Sequence, residues 1–505
     1  MSALSWGAAE PHLPILLVIV PILGALVTTF LRNSFLAWLV ALVVSVTLPF
    51  MAIQLLVTVL ETGQPITYMI GNWEAPFGIV YKVDQLSGYI LTVISLIGAV
   101  IMPFARRSVI AEIDERARSW YYSMYLLCLA GLLGIVITGD AFNAFVFLEI
   151  SSLATYVMVA LGRHRRALLA AYQYLIMGTI GATFYVIGVG LLYVVTGTLN
   201  FDDMASRLSV AIIDPGQRNA VVTALGFTVV GLSLKLALFP MHMWLPNAYA
   251  YAPSFATAFL AGTATKAAIY LLVRVVYSVF AEGMSLESLP IGEVVIVLSI
   301  AAMFLASISA VFETNAKRML AYSSVAQIGY ITLGIAIANQ AGLTGSLAHI
   351  ANHAIMKTAL FLALGAVFYR IGSVLYSDIA GIGRKMPLTM AAFALAGIGL
   401  MGTPGTAGFI SKWYLAVAAI DEGLYSVVFL IVASSLISVV YIGRITEVIW
   451  FREPSAAAAQ AREAPLSMLI PLWLLVGATF YLGFDTRATV GTAAEAAKVL
   501  LEGVR

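Results

Sequence analysis

The chain has 505 residues, of which 61% are hydrophobic and only 10% are charged. A soluble protein of this length would carry roughly a quarter charged residues, so the composition excludes a soluble enzyme and indicates a chain that crosses the lipid bilayer many times. The net charge of +2 gives no sign of a nucleic-acid partner, and the single cysteine, Cys128, excludes internal disulfides and cysteine-built metal centres.

Apolar stretches of about 20 residues, the length needed to cross the hydrocarbon core, recur along the chain. They predict spans near 13–31, 35–60, 84–104, 119–138, 140–161, 167–195, 220–240, 253–280, 291–313, 319–339, 343–369, 387–419, 424–450 and 466–484. No basic segment precedes the first span, so no cleavable signal is expected. We therefore expect an all-α polytopic membrane protein of about 14 transmembrane helices.

Alternate loops differ in their content of basic residues. One set of loops holds sixteen lysines and arginines, Lys317 among them, and the other set holds six: Lys82, Arg207, Arg218, Arg487, Lys498 and Arg505. Because cytoplasmic loops carry the excess of basic residues, this asymmetry predicts a protein of the cell membrane with both termini outside.

Two groups of five spans resemble each other. The matched pairs are Ser151 with Ser323, Lys235 with Lys412, and Arg274 with Arg444, at offsets of 172, 177 and 170 residues. The predicted units are helices 1–3 in 1–118, a first repeat in 119–282, a second repeat in 283–451, and a connector with helix 14 in 452–505. Five is odd, so the second repeat is inverted. Inverted repeats with broken helices hold polar sites at mid-membrane in many transporters.

Titratable side chains inside the spans are the candidate functional residues, because a charge in lipid costs several kcal/mol and is usually kept for a task. The predicted proton path consists of Glu149, Lys235, Lys266, His349, His353, Lys357 and Lys412, with Asp140 and His242 as helpers. Asp140 begins its helix, so it is equally suited to be an N-terminal cap or an ion entry point.

His349, His353 and Lys357 are spaced i, i+4 and i+8, which stacks them on one helix face over about 12 Å. Such a column suits proton hopping, since histidine titrates near neutral pH. One alternative is that the histidines are structural and that Lys357 extends to the membrane surface. Another is that the two histidines bind haem or zinc. That reading is disfavoured because axial haem ligands more often come from separate helices and no third zinc ligand lies nearby, so we expect no cofactor.

Glu149 is the only acid deep in a predicted span, and Lys235 lies beside a helix break at Pro240. A break exposes backbone groups and admits water, which can solvate an ammonium. We therefore hypothesise a switch of one carboxylate and one amine, in which pairing with Glu149 keeps a lysine protonated and loss of the pairing releases the proton. A static buried salt bridge is the alternative. Lys266 lies in mid-span, where a proton relay is favoured over extension to the surface.

The strings around these residues resemble the antiporter-like family shared by Mrp-type Na+/H+ antiporters, respiratory complex I and membrane-bound hydrogenases. The strings are GDAFNAFVFLEISSLATY, LKLALFPMHMWLPNAYAYAPS, TKAAIYLLVR, AKRMLAYSSVAQIGY, HIANHAIMKTALFLALGAV and GTPGTAGFISKW, within roughly residues 84–450. The resemblance implies fourteen helices with inverted five-helix repeats. It also implies pairing of Glu149 with Lys235, and family positions for Lys266, His349, His353 and Lys412.

Within this family, GDAFNAFVFLE and WLPNAYAYAPS look most like the D subunit of the Mrp antiporters, whereas TPGTAGF is similar to complex I. The resemblance implies a proton-translocating subunit of a multisubunit Na+(cation)/H+ antiporter that has no enzymatic reaction of its own. Its implied partners are other membrane subunits, the lipid bilayer, protons and Na+. A proton-pumping subunit of a complex I-like or hydrogenase-type redox complex is the alternative.

Overall fold

The computed structural model describes residues 7–280 and 291–502, and most of them are helical. The helices of the first range are α1 Leu13–Phe30, α2 Ser34–Thr62, α3 Gln85–Glu112, α4 Arg118–Ile137, α5 Ala141–Ala160, α6 Arg165–Thr196, α7 Phe201–Ala211, α8 Pro215–Leu236, α9 Trp244–Tyr251 and α10 Ser254–Arg274. Those of the second range are α11 Ile291–Ala301, α12 Ser307–Phe312, α13 Ala316–Ile337, α14 Gln340–Ile371, α15 Tyr376–Ile379, α16 Pro387–Met401, α17 Ala407–Asp421, α18 Tyr425–Trp450, α19 Ala456–Ala459, α20 Leu466–Phe484 and α21 Thr492–Glu502. A short antiparallel hairpin, β1 Ile66–Met69 and β2 Val80–Val83, connects α2 to α3.

The predicted spans are all present. Thirteen helices of the described residues are long and apolar enough to cross a membrane. The remaining span, the twelfth, consists of α16 and α17, which have 15 residues each and are separated by a break. The seventh span is also broken, since α8 ends at Leu236 and α9 carries the chain onward from Trp244. The prediction of about 14 helices with broken members is confirmed.

Three sequence-based expectations need correction. The third span was expected to end near residue 104, but α3 continues to Glu112, whose side chain is therefore buried with the helix end. The seventh span was expected to end at residue 240, at its break, but the break already begins after Leu236 and the chain continues as a helix in α9. Lys317, counted among the loop residues, lies in the first turn of α13 and is only 2% exposed. The predicted repeat boundary at 282/283 and Arg505 both lie outside the described residues.

The most polar spans lie at the centre of the bundle. Helix α14 packs against α3, α10, α13, α16, α17 and α20. Helices α10 and α13 are almost wholly buried, whereas α1, α2, α6 and α18 expose large apolar side chains. Outer helices that meet lipid thus surround three inner helices that do not. This arrangement lets α10, α13 and α14 carry polar side chains away from the hydrocarbon.

The two five-span units have the same internal neighbours. In the first unit α5 packs against α4 and α6, and in the second α13 packs against α11, α12 and α14. Likewise α6 packs against the broken pair α8 and α9, and α14 against the broken pair α16 and α17. Successive spans alternate in direction, so every second connection lies on the same side. We call the side of the β1–β2 hairpin the hairpin face, and the side of loops 113–117, 161–164 and 372–386 the basic face.

Candidate functional site

Lys235 and Glu149 form an ion pair inside the first repeat. The Lys235 ammonium lies 3.2 Å from Glu149 Oε1 and donates to Ser152 Oγ at 2.8 Å. Glu149 and Ser152 are three residues apart on α5, so they project from one helix face. The Lys235 side chain is 5% exposed and that of Glu149 23% exposed, so Glu149 is the member of the pair that reaches the surface of the bundle. The structure thus contains the pair that the family resemblance implied.

A left-handed residue ends the first half of each broken span. Ala237 has φ +62° and Gly402 has φ +84°. The hydrogen bonds around them correspond one to one: Leu238 N donates to Ser233 O at 3.0 Å, and Thr403 N to Ile398 O at 3.4 Å. The two breaks therefore have the same backbone geometry at an offset of 165 residues, which supports the repeat more strongly than the side-chain pattern does.

Lys235 and Lys412 lie on opposite sides of their breaks. Lys235 ends α8, whereas Lys412 belongs to α17, after the break. At the backbone offset, the position equivalent to Lys412 is Asn247 on α9. Lys235 and Lys412 are thus not equivalent residues of the repeats, because side-chain type alone suggested the offset of 177.

Lys412 is held by the end of α16. Its ammonium donates to the carbonyls of Leu400 at 3.3 Å and Met401 at 3.1 Å, and to Ser435 Oγ at 3.2 Å. It also lies 4.6 Å from the centroid of the Tyr330 ring. Carbonyls at a helix C-terminus carry partial negative charge, so they stabilise an ammonium without a carboxylate.

The predicted column on α14 is present and fully buried. The rings of His349 and His353 are parallel, with centroids 6.0 Å apart. His349 Nδ1 is 2.7 Å from Ser411 Oγ on α17, and its Nε2 is 2.9 Å from Gln327 Oε1 on α13. Neither ring nitrogen of His353 has a hydrogen-bond partner among the described residues. The second histidine is therefore free to exchange a hydrogen bond with water or with a neighbour that moves.

Lys357 and Lys266 approach this column from two sides. Lys357 donates to Leu320 O at 2.8 Å and to Ser323 Oγ, both on α13, and it is fully buried. This position contradicts the alternative in which Lys357 extends to the membrane surface. Lys266 donates to Ala261 O and is also fully buried. Gly262, one helical turn before Lys266, packs on Thr358 of α14. This contact places Lys266 at about the same height along α14 as the histidines.

The two helper positions have different outcomes. Asp140 caps α5 by accepting from Asn143 N at 2.6 Å, so its geometry is that of an N-terminal cap. Burial raises the pKa of the Asp140 carboxyl, which therefore also stays a candidate for proton exchange. His242 lies inside the break of the seventh span, where its ring stacks on Phe239 at 5.3 Å. Among the described residues its Nδ1 has no partner.

Several neutral residues of the site were missed in the sequence. Ser152, Gln327, Ser411 and Ser435 each contact a titratable group of the site. Serines occur throughout membrane helices and carry no charge, so they gave no signal by themselves. Gln327 was detectable, because it lies four residues after Ser323 and a buried amide in a span needs partners.

The titratable residues form two groups. The first is Glu149 with Lys235, and the second combines α10, α14 and α17 around the histidine column. No direct hydrogen bond joins Lys235 to Lys266 or to His353 within the part of the chain that the structure describes. A proton that passes between the two groups therefore needs water or a side-chain movement.

Comparisons with known proteins agree with this architecture. A family model described as "NADH:quinone oxidoreductase/Mrp antiporter, TM" matches residues 138–438. NADH-quinone oxidoreductase subunit N of Desulforudis audaxviator is 39% identical over 92% of this chain and 94% of its own length. The D subunit of the Na(+)/H(+) antiporter of Alkalihalophilus pseudofirmus is 30% identical over 94% of both chains.

Two solved structures have the same fold over nearly the whole chain. A chain of the membrane-bound sulfane sulfur reductase, an archaeal respiratory membrane complex, superposes with a TM-score of 0.89 at 29% identity, covering 97% of this chain and 98% of that one. A chain of the Mrp complex from Dietzia sp. DQ12-45-1b gives 0.87 at 26% identity, covering 99% and 100%.

Proposed function

Since the chain belongs to the transmembrane family of NADH:quinone oxidoreductases and Mrp antiporters, we propose that it is the proton-translocating subunit of a multisubunit Na+(cation)/H+ antiporter. The observation that carries the proposal is the ion pair of Lys235 and Glu149, 3.2 Å apart beside a broken helix. A buried ammonium whose single charged partner can move away holds a proton that a small movement can release.

In the proposed mechanism Lys235 holds the proton while Glu149 is close. Neighbouring subunits act on Glu149, the member of the pair that reaches the bundle surface, and so set the distance between carboxylate and ammonium. Separation releases the proton towards Lys266. From there it passes through His353 and His349 to Lys412, which exchanges it with one side of the membrane.

The column contacts support this route in detail. His349 bridges α13 and α17 through Gln327 and Ser411, so a proton leaving its ring has an oxygen within hydrogen-bond distance on either side. Lys357 supplies a further cation whose protonation biases the direction of transfer. We propose that the excess of basic residues places the basic face in the cytoplasm, with both termini outside. The units 119–282 and 283–451 are then the two half-channels.

A second candidate is a proton-pumping subunit of a redox complex. The higher identity to an NADH-quinone oxidoreductase subunit, 39% against 30%, favours it. In that case the same lysine and histidine path translocates protons, but redox chemistry in other subunits drives it. The chain itself performs no redox step in either proposal.

The path is tested by replacing Glu149 or Lys235 with Ala in the assembled complex. Proton movement is followed with a pH-sensitive dye in everted vesicles after a Na+ pulse, and assembly by co-purification. We expect both variants to assemble and to lose transport, whereas Lys385→Ala, an exposed lysine of the basic face, keeps it. Transport that survives either change refutes the gating role.

The choice between the two candidates depends on the partners. The tagged chain is extracted in mild detergent, and its companions are identified by mass spectrometry. Small membrane subunits alone support the antiporter. Iron–sulfur or NiFe subunits would instead support the redox complex.

A further inference from the structure

A cavity of about 530 Å³ opens on the basic face between the ends of several inner helices. Loop residues 162–164 and 372–375, together with Arg166, Thr314 and Arg318, form part of its wall. Two buried charged residues, Glu112 and Lys317, also line it. The exposed fractions of these two residues are 7% and 2%, so only a small part of each residue is open to the cavity.

Glu112 and Lys317 are joined by one hydroxyl. Glu112 Oε2 accepts from Ser254 Oγ at 3.1 Å and from Ser254 N at 2.9 Å, and Lys317 donates to the same Ser254 Oγ at 3.1 Å. Ser108 Oγ donates to Glu112 Oε1 at 2.7 Å. Ser254 is the first residue of α10, so the carboxylate also lies at a helix N-terminus. A carboxylate, a hydroxyl and an ammonium in series form a short chain for proton exchange.

The hydrogen-bonded series of Glu112, Ser254 and Lys317 lies next to the proposed proton path. Leu320, whose carbonyl accepts from Lys357, is only three residues from Lys317 on α13, about one helical turn. Ser254 begins α10, the helix that carries Lys266. Phe368, whose ring lies 4.9 Å from the Lys317 ammonium, belongs to α14, which carries the histidine column. The three inner helices therefore meet both the cavity and the buried path.

We propose that Glu112, Ser254 and Lys317 form the proton entrance of the basic face. Glu112 takes a proton from water in the cavity, and Ser254 and Lys317 connect it to Lys357. This inference rests on the proposed function and adds a port to it. A purely structural alternative is that Glu112 only caps α10 and that Lys317 only binds Ala252 O.

Two substitutions of Glu112 separate these explanations. Glu112→Gln keeps the length and can still accept from Ser254 and donate to Ser108, but it cannot carry a proton. Glu112→Asp keeps an acid but is too short to keep all these hydrogen bonds. An entrance predicts that the Asp variant transports faster than the Gln variant, whereas a cap predicts the reverse order. For Glu112→Gln we expect a roughly 100-fold loss of proton uptake from the basic face, the effect of removing a positioned proton-transfer group.

The measurement uses the whole complex in vesicles, with protons supplied at the basic face. Asp114→Asn is the matched control, since Asp114 lies two residues further on and its side chain is 84% exposed. Thr314→Cys gives a second readout, because a cationic methanethiosulfonate added at the basic face should then block transport. The native Cys128 is fully buried and should not react.

The proposed entrance is supported if Glu112→Gln transports protons slowly, Glu112→Asp transports them faster, and the cationic reagent blocks transport by Thr314→Cys. Wild-type transport by Glu112→Gln, or Gln faster than Asp, overturns it. If Glu112→Gln gives such a result while Glu149→Ala is inactive in the same vesicles, only the proposed entrance is refuted. If Glu149→Ala is active, the proposed function itself fails.

Discussion

A single methyl group at Gly262 should test whether the spacing between α10 and α14 controls proton transfer. A Cβ at this position would lie 2.3 Å from Oγ1 of Thr358 and 2.8 Å from Cγ2 of Ile97. Ordinary carbon contacts begin near 3.5 Å, so α10 must shift away from α14 by about 1 Å. Lys266 is one turn further along α10 and would move with it, away from His353.

The expected magnitudes follow from this shift. Overpacking of a full core costs about 1–3 kcal/mol, so Gly262→Ala should still fold and assemble. A displacement of about 1 Å at a transfer site can lower the rate about 100-fold. Because no charge changes, a large loss of transport would arise from distance alone.

The assay compares proton flux per assembled complex in vesicles. Gly190→Ala serves as the control, because a Cβ there meets nothing within 4 Å. Gly262→Ala combined with Thr358→Ala removes the closest clash and should recover part of the flux. Wild-type flux in Gly262→Ala, or no recovery in the double variant, would refute the argument from spacing.

Three further predictions concern other parts of the fold. Gly402→Ala should lower transport, since its φ is +84° and the new Cβ would lie 3.0 Å from Cδ of Lys412; equal flux per complex would contradict this. Lys357→Met should keep the helix packed but abolish proton flux in vesicles, and residual flux would exclude an essential role. Asp84→Asn should break the ion pair in which the Arg274 guanidinium donates to the two Asp84 carboxylate oxygens at 2.7 and 2.8 Å. The thermal unfolding midpoint should fall by an amount equivalent to about 3–5 kcal/mol, and an unchanged midpoint would contradict this. Burial raises the pKa of Asp84, but the Arg274 guanidinium more than offsets this and holds it well below its usual range, so the stabilisation is present above about pH 4 and disappears only in stronger acid.

The sequence was sufficient to predict the spans and the column on α14. Lipid demands long apolar helices, so each span gives its own signal, and the helical repeat places His349, His353 and Lys357 on one face without any tertiary information. The contact of Glu149 with Lys235 was implied by the family resemblance, whereas residue type alone indicated only that the one acid deep in a predicted span pairs with a lysine.

The remaining features depend on tertiary contacts. The register of the two breaks follows from the left-handed residues Ala237 and Gly402, and an alanine in that conformation carries no sequence signal. Lys317 was counted as a loop residue and Glu112 lay beyond the expected end of the third span, because their burial comes from the neighbouring α10 and α14. The site is therefore predictable where one helix determines it, and not where several helices meet.

The partly exposed carboxylate of Glu149 has a consequence for the life of the chain before assembly. If another subunit covers Glu149 in the complex, a newly inserted copy exposes this polar side chain to the acyl chains until assembly, and such contact is unfavourable. An orphan copy would thus differ physically from a copy in which another subunit covers Glu149. A membrane protease or chaperone that senses polar groups at mid-bilayer depth could remove unassembled copies, so the residue proposed to control the proton would also mark whether the complex is complete.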